Sequence, residues 1–300
     1  MNKLRLGLAV ILVLIVALIT PESAHAFQRV NANTVRIRVL SYNVKGLPVA
    51  INWGWDADRF ADIGDILAAR KATGTQPDIV LLQEAFSPPT ADVATHGRYP
   101  FVANGPMNDK LVTSGIAILS NFPIDYQESM IYPDDACGTW DCFASKGAMI
   151  ARIQLPGVPF LLTMANTHAQ SGEEWNDPRK TQLQQFAHFL KSIFNPNAGL
   201  IAGGDFNTNP KLPSYQDFKQ RTGLKSVGEL CVDQTNQCSL VGETNRDILL
   251  DSSDDQFFFV NGRQVSIRPV SVERNFLHPV KGRMLSDHPG YETVFEITWK

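Results

Sequence analysis

The sequence has little excess of either charge. Its 300 residues include 27 Lys and Arg against 30 Asp and Glu, which gives a net charge of −3. A protein dedicated to DNA or RNA usually shows a basic footprint. The charge balance therefore gives a nucleic-acid partner no support, although a local basic patch could still act. Hydrophobic residues make up 44% of the chain, as is ordinary for a soluble globular protein.

Cysteines are few. The chain has four, at positions Cys137, Cys142, Cys231 and Cys238. Neither close pair has the C-x-x-C spacing, and no histidine flanks either pair, which argues against a cysteine zinc site. Four cysteines allow three disulfide connectivities. We favour the two local pairings, each of which would close a short loop in an exported protein.

Only one long apolar run is present, at residues 6–19, and it is short for a membrane span of about 20 residues. Two basic residues precede it, and an Ala-x-Ala pattern follows at residues 24–26. These features predict a secretory signal peptide over residues 1–26, with a single membrane anchor as the alternative. Its removal would leave a secreted or periplasmic chain that starts at Phe27 and has a net charge of −4.

No repeat, low-complexity tract or Pro/Gly/Ser linker divides the rest, so we interpret residues 27–300 as one domain. Residues 34–43 alternate apolar and polar positions, as in a half-buried strand, and residues 77–86 contain a short apolar run typical of a buried strand. The further strand candidates are residues 114–120, 147–155, 159–168, 199–207, 255–260 and 291–299.

Two segments have the periodicity of amphipathic helices. The first is residues 56–70, with Asp56 or Asp58 as a plausible N-cap. The second is residues 177–194. Their apolar faces consist of Phe60, Ile63 and Leu67 in the first, and Leu183, Phe186, Leu190 and Ile193 in the second. Many strands with a few helices between them predict stacked sheets with helices outside.

Several apolar strands end in a polar residue that a buried strand does not need. Asn43, Glu84, His168 and Asp205 occupy such ends, and Asn207 follows two residues later. If these ends meet at one edge of the sheets, they form a site dense in oxygen and imidazole groups. Asp205 and Asn207 would share one face of an extended segment, although a turn is the alternative. Glu84 could bind a hard cation or simply be solvated.

Further acids and a histidine follow towards the C-terminus. Asp255 precedes three phenylalanines and could orient a catalytic imidazole, although Asp251 and Asp254 are also close by. Asp287 and His288 are adjacent in LSDHPG. Histidine suits the role of general base at neutral pH, and the carboxylate could bind a metal.

The order N…E…H…D-x-N…D…S-D-H, from Ser41 through Tyr291, resembles that of the endonuclease/exonuclease/phosphatase superfamily. The stretches SYNVKGLP, CGTWDCFASKGAMIARI and NTHAQSGEE…DPRKTQL are most similar to secreted bacterial sphingomyelinases and their neutral sphingomyelinase relatives. The resemblance implies an α/β fold: two stacked mixed β-sheets flanked by helices, a four-layer αββα sandwich as in DNase I. It also implies metal-dependent hydrolysis of phosphate esters.

The resemblance implies roles for the polar strand ends. Glu84 would be the main Mg²⁺ ligand, with Asn43 close by and Asp287 near the metal directly or through water. Mn²⁺ or Co²⁺ could replace Mg²⁺. Asp205 and Asn207 would position the phosphate, the attacking water or a second ion.

The remaining roles concern proton transfer and charge. His288 would be the general base, held by Asp255 as a carboxylate holds the histidine of a catalytic triad, with Asp205 as the alternative base. His168 would hydrogen-bond a phosphate oxygen and stabilise the growing charge. Lys146, in the Ser-Lys-Gly step, would add a positive charge to the same oxygens.

Four functions remain open. The first is a secreted Mg²⁺-dependent sphingomyelinase, or a related phospholipase C-type enzyme at a membrane surface. The others are a secreted nuclease, a phosphoinositide or small-ester phosphatase, and an inactive binding module. The ASKG and THAQS stretches favour the first. Trp53 and Trp55 could touch a membrane interface or the substrate, or they could pack within their loop or under the next helix. We expect a monomer without a protein partner.

Overall fold

The computed structural model describes residues 27–300 apart from 48–54, 109, 111, 134–136, 235–236 and 252–253. The expected signal peptide and Trp53 lie outside the described residues. The helices are α1 (Arg59–Ala69), α2 (Ala91–Gly97), α3 (Asn176–Ile193), α4 (Pro213–Thr222), α5 (Val227–Asp233) and α6 (Arg246–Asp251). The strands are β1 (Gln28–Asn31), β2 (Thr34–Asn43), β3 (Ile79–Gln83), β4 (Phe101–Asn104), β5 (Ala117–Ser120), β6 (Ile124–Ile131), β7 (Gly147–Gln154), β8 (Leu161–His168), β9 (Leu200–Asp205), β10 (Lys225–Ser226), β11 (Ser239–Val241), β12 (Asp255–Val260), β13 (Val265–Asn275) and β14 (Gly290–Trp299).

The strands form two mixed sheets. The first has the order β11-β13-β14-β2-β3-β5-β4, with β1 paired to the start of β2. The second has the order β10-β12-β9-β8-β7-β6. Each sheet contains a parallel pair near its middle, β2 with β3 in the first and β8 with β9 in the second. The carboxyl ends of these four strands provide the edge at which polar side chains collect.

The two sheets pack face to face, and helices cover their outer faces. Phe257 and Phe295 belong to the apolar cluster between the sheets. Phe258, the next residue of β12, points the other way and packs with Phe186 of α3, because successive side chains of a strand alternate between faces. On the far side, Phe60 of α1 packs against β2 and β3. The predicted four-layer αββα architecture is confirmed.

The two helices predicted from periodicity are α1 and α3. Every residue assigned to their apolar faces is buried. Asp58 immediately precedes α1, although its side chain makes no capping hydrogen bond. Among the described residues, none of the helices combines the length and the apolar composition needed to cross a bilayer.

Both local disulfides are present. Cys231–Cys238 is buried within the cluster between the sheets. Cys137–Cys142 closes a loop around the short 3₁₀ turn Thr139–Phe143. Because all four cysteines are paired, none is left to bind zinc.

Candidate active site

In the second sheet, strand direction brings three predicted residues to one edge. β8 and β9 are parallel, so His168 pairs with Asp205 at their common end. β12 is antiparallel to β9 and therefore begins where β9 ends, which places Asp255 opposite Asp205. The register thus explains why an acid at the start of one strand meets an acid at the end of another.

The first sheet contributes its residues at the same edge. β2 and β3 are parallel, so Asn43 lies beside the end of β3, where Glu84 follows. β14 is antiparallel to β2 and starts at Gly290, so the preceding loop delivers His288 to this edge. The Ser286 hydroxyl donates a hydrogen bond to the Asn43 carbonyl oxygen over 2.6 Å and ties that loop to the end of β2.

Asn43 joins the two sheets. Its Nδ2 donates to Glu84 Oε1 and to Asp205 Oδ2, each over 2.9 Å. Its Oδ1 accepts from the Lys45 backbone N–H over 3.0 Å. With both amide hydrogens engaged, Asn43 holds one carboxylate from each sheet on either side of a single nitrogen.

Asp205 lies at the centre of the site. Its Oδ2 is 3.6 Å from His168 Nε2 and 3.9 Å from His288 Nε2, and the residue is only 1% exposed. Burial raises its pKa to about 7, with the neighbouring Asp255 adding to the rise and His288 opposing it. A carboxyl group in this range can exchange a proton near neutral pH.

His288 is held through one nitrogen. Its Nδ1 is 3.2 Å from Asp255 Oδ2, and Arg274 Nη2 approaches the same oxygen at 3.6 Å. Burial lowers the pKa of His288, but the hydrogen bond to Asp255 and the charges of Asp205 and Asp287 outweigh it and raise the pKa to about 10. The imidazole therefore keeps its proton at neutral pH until positive charge at the site offsets those carboxylates.

Lys146 approaches the site from the other side of Asp205. Its Nζ lies 3.2 Å from His168 Nε2 and donates to the Ala169 carbonyl oxygen over 2.9 Å and to Asp141 Oδ2 over 2.8 Å. Burial, and then the Lys146 charge, hold the pKa of His168 well below its usual range. His168 is consequently neutral, and its Nε2 accepts from Lys146 in this arrangement.

Three site residues have a left-handed backbone, including Lys45 with φ of +48°. Glu84 has φ of +53° and Asn207 has φ of +49°. Such positions cost about 1–3 kcal/mol and cluster at functional sites. The Asn207 N–H donates to Asp205 Oδ1 over 3.0 Å, and its Nδ2 donates to the Ala169 carbonyl oxygen over 3.1 Å. The expected extended segment is wrong, because β9 ends at Asp205 and Asn207 is left-handed; the two residues lie in a turn, the alternative, and both belong to the site.

The donor set fits a hard divalent cation. Asp205, Asp255 and His288 offer ligand atoms within 4.8 Å of one another. Glu84 adds a carboxylate beyond Asn43; burial raises its pKa, while the hydrogen bond from Asn43 and the charge of Lys146 oppose the rise. Carboxylate oxygens of this kind are the ligands that Mg²⁺ prefers in proteins.

Asp287 lies at the solvent-exposed edge of the site. It forms an ion pair with Lys45, and its side chain is 45% exposed. It borders a cleft of about 550 Å³. The cleft is lined by Trp55, Asp56, Arg59, Arg283, Met284, Ser286 and Asp287. The Trp55 ring lies 5.1 Å from Lys45 Nζ and 5.1 Å from Arg59 Cζ, so it packs against cations.

Four further residues at the site were not predicted from the sequence. Asp141 lies between two cysteines, just before the Ser-Lys-Gly step, and this position could have marked it as a candidate site residue. Arg274 lies on β13, a strand not recognised from the sequence. Lys45 follows Asn43 by two residues. For Arg59, which donates to the Leu285 carbonyl oxygen over 2.8 Å, the sequence carries no signal beyond its place at the start of a helix.

The sequence matches known proteins over most of its length. The model of the Endonuclease/Exonuclease/phosphatase family matches residues 40–288. Sphingomyelinase C 2 of Leptospira interrogans serogroup Icterohaemorrhagiae serovar Lai (strain 56601) is 27% identical over 225 residues, which cover 66% of this chain and 34% of that protein. Sphingomyelinase C of Leptospira interrogans is 24% identical over 253 residues, which cover 74% and 42%. The chain thus spans less than half the length of these curated relatives.

Solved structures share the fold. Sphingomyelinase C from Streptomyces griseocarneus has a TM-score of 0.64 at 20% identity, covering 86% of this chain and 99% of that chain. D. rerio TDP2 complexed with single strand DNA product has a TM-score of 0.65 at 20% identity, covering 87% and 98%. A beta toxin mutant from Staphylococcus aureus with bound magnesium ions has a TM-score of 0.60 at 16% identity, covering 88% and 99%.

The family match includes every predicted site residue from Asn43 to His288. The solved structures independently show the same two-sheet architecture. The chain belongs to the endonuclease/exonuclease/phosphatase family.

Proposed function

We propose that the protein is a secreted, divalent-metal-dependent phosphodiesterase of the sphingomyelinase, or phospholipase C, type. The observation that carries this proposal is the meeting of Glu84, Asn43, Asp205 and His288 at one edge of two sheets. A buried group of carboxylates beside an oriented imidazole suits attack of water on a phosphodiester.

Glu84 and Asp205, spaced by Asn43, would hold the cation, with Asp287 near it directly or through water. The preferred ion is Mg²⁺, with Mn²⁺ or Co²⁺ as alternatives, and the magnesium ions bound to the related beta toxin structure support that preference. When bound, the cation polarises the phosphoryl oxygen and orients the ester.

His288 would take the proton of the attacking water at Nε2. Asp255 holds Nδ1 and so fixes the direction in which Nε2 points. Asp205 is the second candidate for this proton, since burial brings its pKa to about 7. The two candidates face each other across 3.9 Å, which is too long for direct proton transfer, so a water between them would have to carry a proton from one to the other.

Lys146, His168 and Asn207 would contact the non-bridging phosphate oxygens. His168 can donate to such an oxygen through Nε2 only if that atom carries the proton. Lys146 must then turn its ammonium from His168 towards the phosphate. The pair would thereby offer a positive charge and an N–H where negative charge grows in the transition state.

Three observations favour a lipid ester over other substrates. The curated relatives are named sphingomyelinase C. The 550 Å³ cleft beside Asp287 offers room for a group attached to the phosphate, and Trp55 and Met284 give it apolar walls. The net charge of −3 supplies no general attraction for nucleic acid.

A second candidate is a secreted nuclease. The D. rerio TDP2 structure, with its single strand DNA product, has the same fold as this chain and favours it. A catalytic site for either ester would use the same metal and base, so the described core does not separate the two. A phosphoinositide phosphatase of the same family has no such observation in its favour.

The test compares the two substrates directly. The protein, purified after export, is assayed for phosphocholine release from sphingomyelin liposomes and for nicking of supercoiled plasmid, each with Mg²⁺ and with chelator. His288→Ala serves as the control for contaminating activity. We expect Mg²⁺-dependent lipid hydrolysis that the variant lacks. Nicking without lipid hydrolysis would replace the first candidate with the second, and activity in neither assay would contradict both.

A further inference from the structure

Asp78 is a fully buried acid far from the reaction chemistry, immediately before β3. It is 0% exposed. Its Oδ2 accepts the Arg38 backbone N–H over 2.8 Å, and its own N–H donates to the Arg38 carbonyl oxygen over 2.8 Å. Its Oδ1 has no hydrogen-bond partner among the described residues. A buried carboxylate with an unused oxygen is costly unless a cation approaches it.

The cation whose charge lowers the pKa of Asp78, Arg38, is engaged elsewhere. The Arg38 guanidinium forms an ion pair with Glu292, on the neighbouring strand β14. Burial raises the pKa of Asp78 to about 7, while the backbone N–H groups of Arg38 and Phe27 and the Arg38 charge lower it and Glu292 raises it. Asp78 thus shares the Arg38 charge with Glu292 and forms no ion pair of its own among the described residues.

Two contacts hold Phe27 near this carboxyl group: the pairing of β1 with β2 and the packing of its ring. β1 begins at Gln28, which pairs with Arg36, so the preceding residue extends along β2 towards Arg38. The Phe27 ring packs edge-on against Phe122, with centroids 5.4 Å apart, and joins the cluster between the sheets. Its backbone nitrogen is thereby fixed beside Asp78, close enough to favour the ionised carboxylate.

We propose that cleavage between Ala26 and Phe27 creates an α-ammonium group at Phe27 that pairs with Asp78 and fastens β1 to the fold. The Ala-x-Ala pattern places signal-peptide cleavage at this bond. An endopeptidase adds one water across the amide: Ala26 leaves with a carboxyl group, and the Phe27 nitrogen gains a hydrogen and then a proton. This inference rests on the secretion included in the proposed function and is independent of the reaction at the active site.

The consequence is a structural requirement on the cleavage position. An α-amino group has a pKa of about 7.7–8.0 and is mostly charged at neutral pH. The ammonium group adds the attraction of opposite charges to the hydrogen bond that a neutral amide N–H can make with the carboxylate. A chain one residue longer keeps a neutral amide at Phe27 and moves the charge away from Asp78.

The test uses two proteins that differ by one residue. One begins at Phe27, the other begins at Ala26, and both continue to Lys300. We expect the Phe27 protein to unfold at a temperature higher by about 2–8 °C, in the range that a domain of this size shows for an ion pair. Asp78→Asn in both proteins should abolish the difference. Equal unfolding temperatures, or a difference that persists with Asp78→Asn, would overturn the proposal.

A second measurement does not require the Asp78→Asn proteins to fold. The N-terminal amine of each protein is acylated at pH 7 under native conditions. An ion pair that raises the pKa of the Phe27 amine by one unit slows its acylation by about tenfold relative to the Ala26 amine. Equal rates would overturn the pairing, and an exported protein whose intact mass shows a start other than Phe27 would overturn the cleavage position.

Discussion

The imidazole of His288 lies between two carboxylates, with Nδ1 3.2 Å from Asp255 Oδ2 and Nε2 3.9 Å from Asp205 Oδ2. One nitrogen is thus fixed by a hydrogen bond, while the other faces the centre of the site. The arrangement separates the residue that orients the base from the residues that meet the substrate.

Asp255→Asn should lower kcat by about 10²–10⁴-fold. The amide removes the negative charge that stabilises the protonated imidazole and can present an N–H to Nδ1. Steady-state hydrolysis at saturating Mg²⁺ measures the effect. The control is Asp251→Asn, because Asp251 is an exposed acid four residues earlier that pairs with Lys211 on the surface. Wild-type kcat in Asp255→Asn would remove the orienting role.

Lys146→Met should lower kcat by about 10²–10³-fold and change KM much less, since charge that grows in the transition state loses its cationic neighbour. Lys180→Met is the matched control, because Lys180 is exposed on α3. If both variants keep the wild-type kcat, Lys146 serves only to pack against Asp141 and His168.

The strand ends of the site were predictable because each carries a polar side chain that burial would otherwise exclude. Asn43, Glu84, His168 and Asp205 all close apolar runs, and parallel pairing then brings them together. What the sequence could not show is the amide bridge in which one Asn43 nitrogen holds acids of both sheets. That contact depends on the distance between the sheets, which no local pattern encodes.

Strands β13 and β6 were not predicted from the sequence, and each omission has a physical reason. β13 was not recognised, because Pro269 interrupts its pattern and a bulge shifts the register between Pro269 and Ser271. β6 was missed because it is an edge strand with mostly exposed side chains. Missing β13 concealed Arg274, which meets Asp255 only through tertiary pairing.

Glu292→Gln should destabilise the fold by about 3–5 kcal/mol. The carboxylate is 0% exposed, receives two 2.8 Å hydrogen bonds from Arg70 and also pairs with Arg38, so the amide would leave two partly buried guanidinium groups without their charged partner. Urea unfolding measures the loss. Glu296→Gln, whose arginine partners are more exposed, should lose less. An equal loss of free energy in both variants would contradict the claim that Glu292 stabilises the fold more than Glu296 does.

Asp78 should make stability depend on pH in a chain that continues upstream of Phe27. Its carboxyl has a pKa of about 7 in the folded state, against about 3.9 when unfolded, so the folded state binds the proton more tightly. Stability from this group is therefore greatest below about pH 4 and falls as pH rises to about 7. The groups that act on it are Arg38 of β2, Glu292 of β14 and the Phe27 N–H, and its charge in turn acts on Tyr99.

Free energies of unfolding at several pH values between 4 and 8 measure this dependence, with Asp78→Asn as the reference. The difference between the parent and the variant should fall across that range by up to about 4 kcal/mol. A flat or rising difference would contradict the assignment. The protein that begins at Phe27 should show a smaller fall, because its ammonium group favours the ionised carboxylate.

The most direct test of the central claim is the Mg²⁺ dependence of hydrolysis of an activated, soluble phosphodiester, measured for wild type, Glu84→Gln and Glu128→Gln. Glu128 is exposed on β6 and serves as the control. The wild type should be inactive in chelator and recover with Mg²⁺. Glu84→Gln should need at least about tenfold more Mg²⁺ to reach half of its maximal rate, because loss of a ligand should weaken metal binding no less than loss of a residue that supports a ligand. Glu128→Gln should follow the wild type. Activity in chelator, or one common Mg²⁺ curve for all three proteins, would contradict a metal-dependent site at the strand ends.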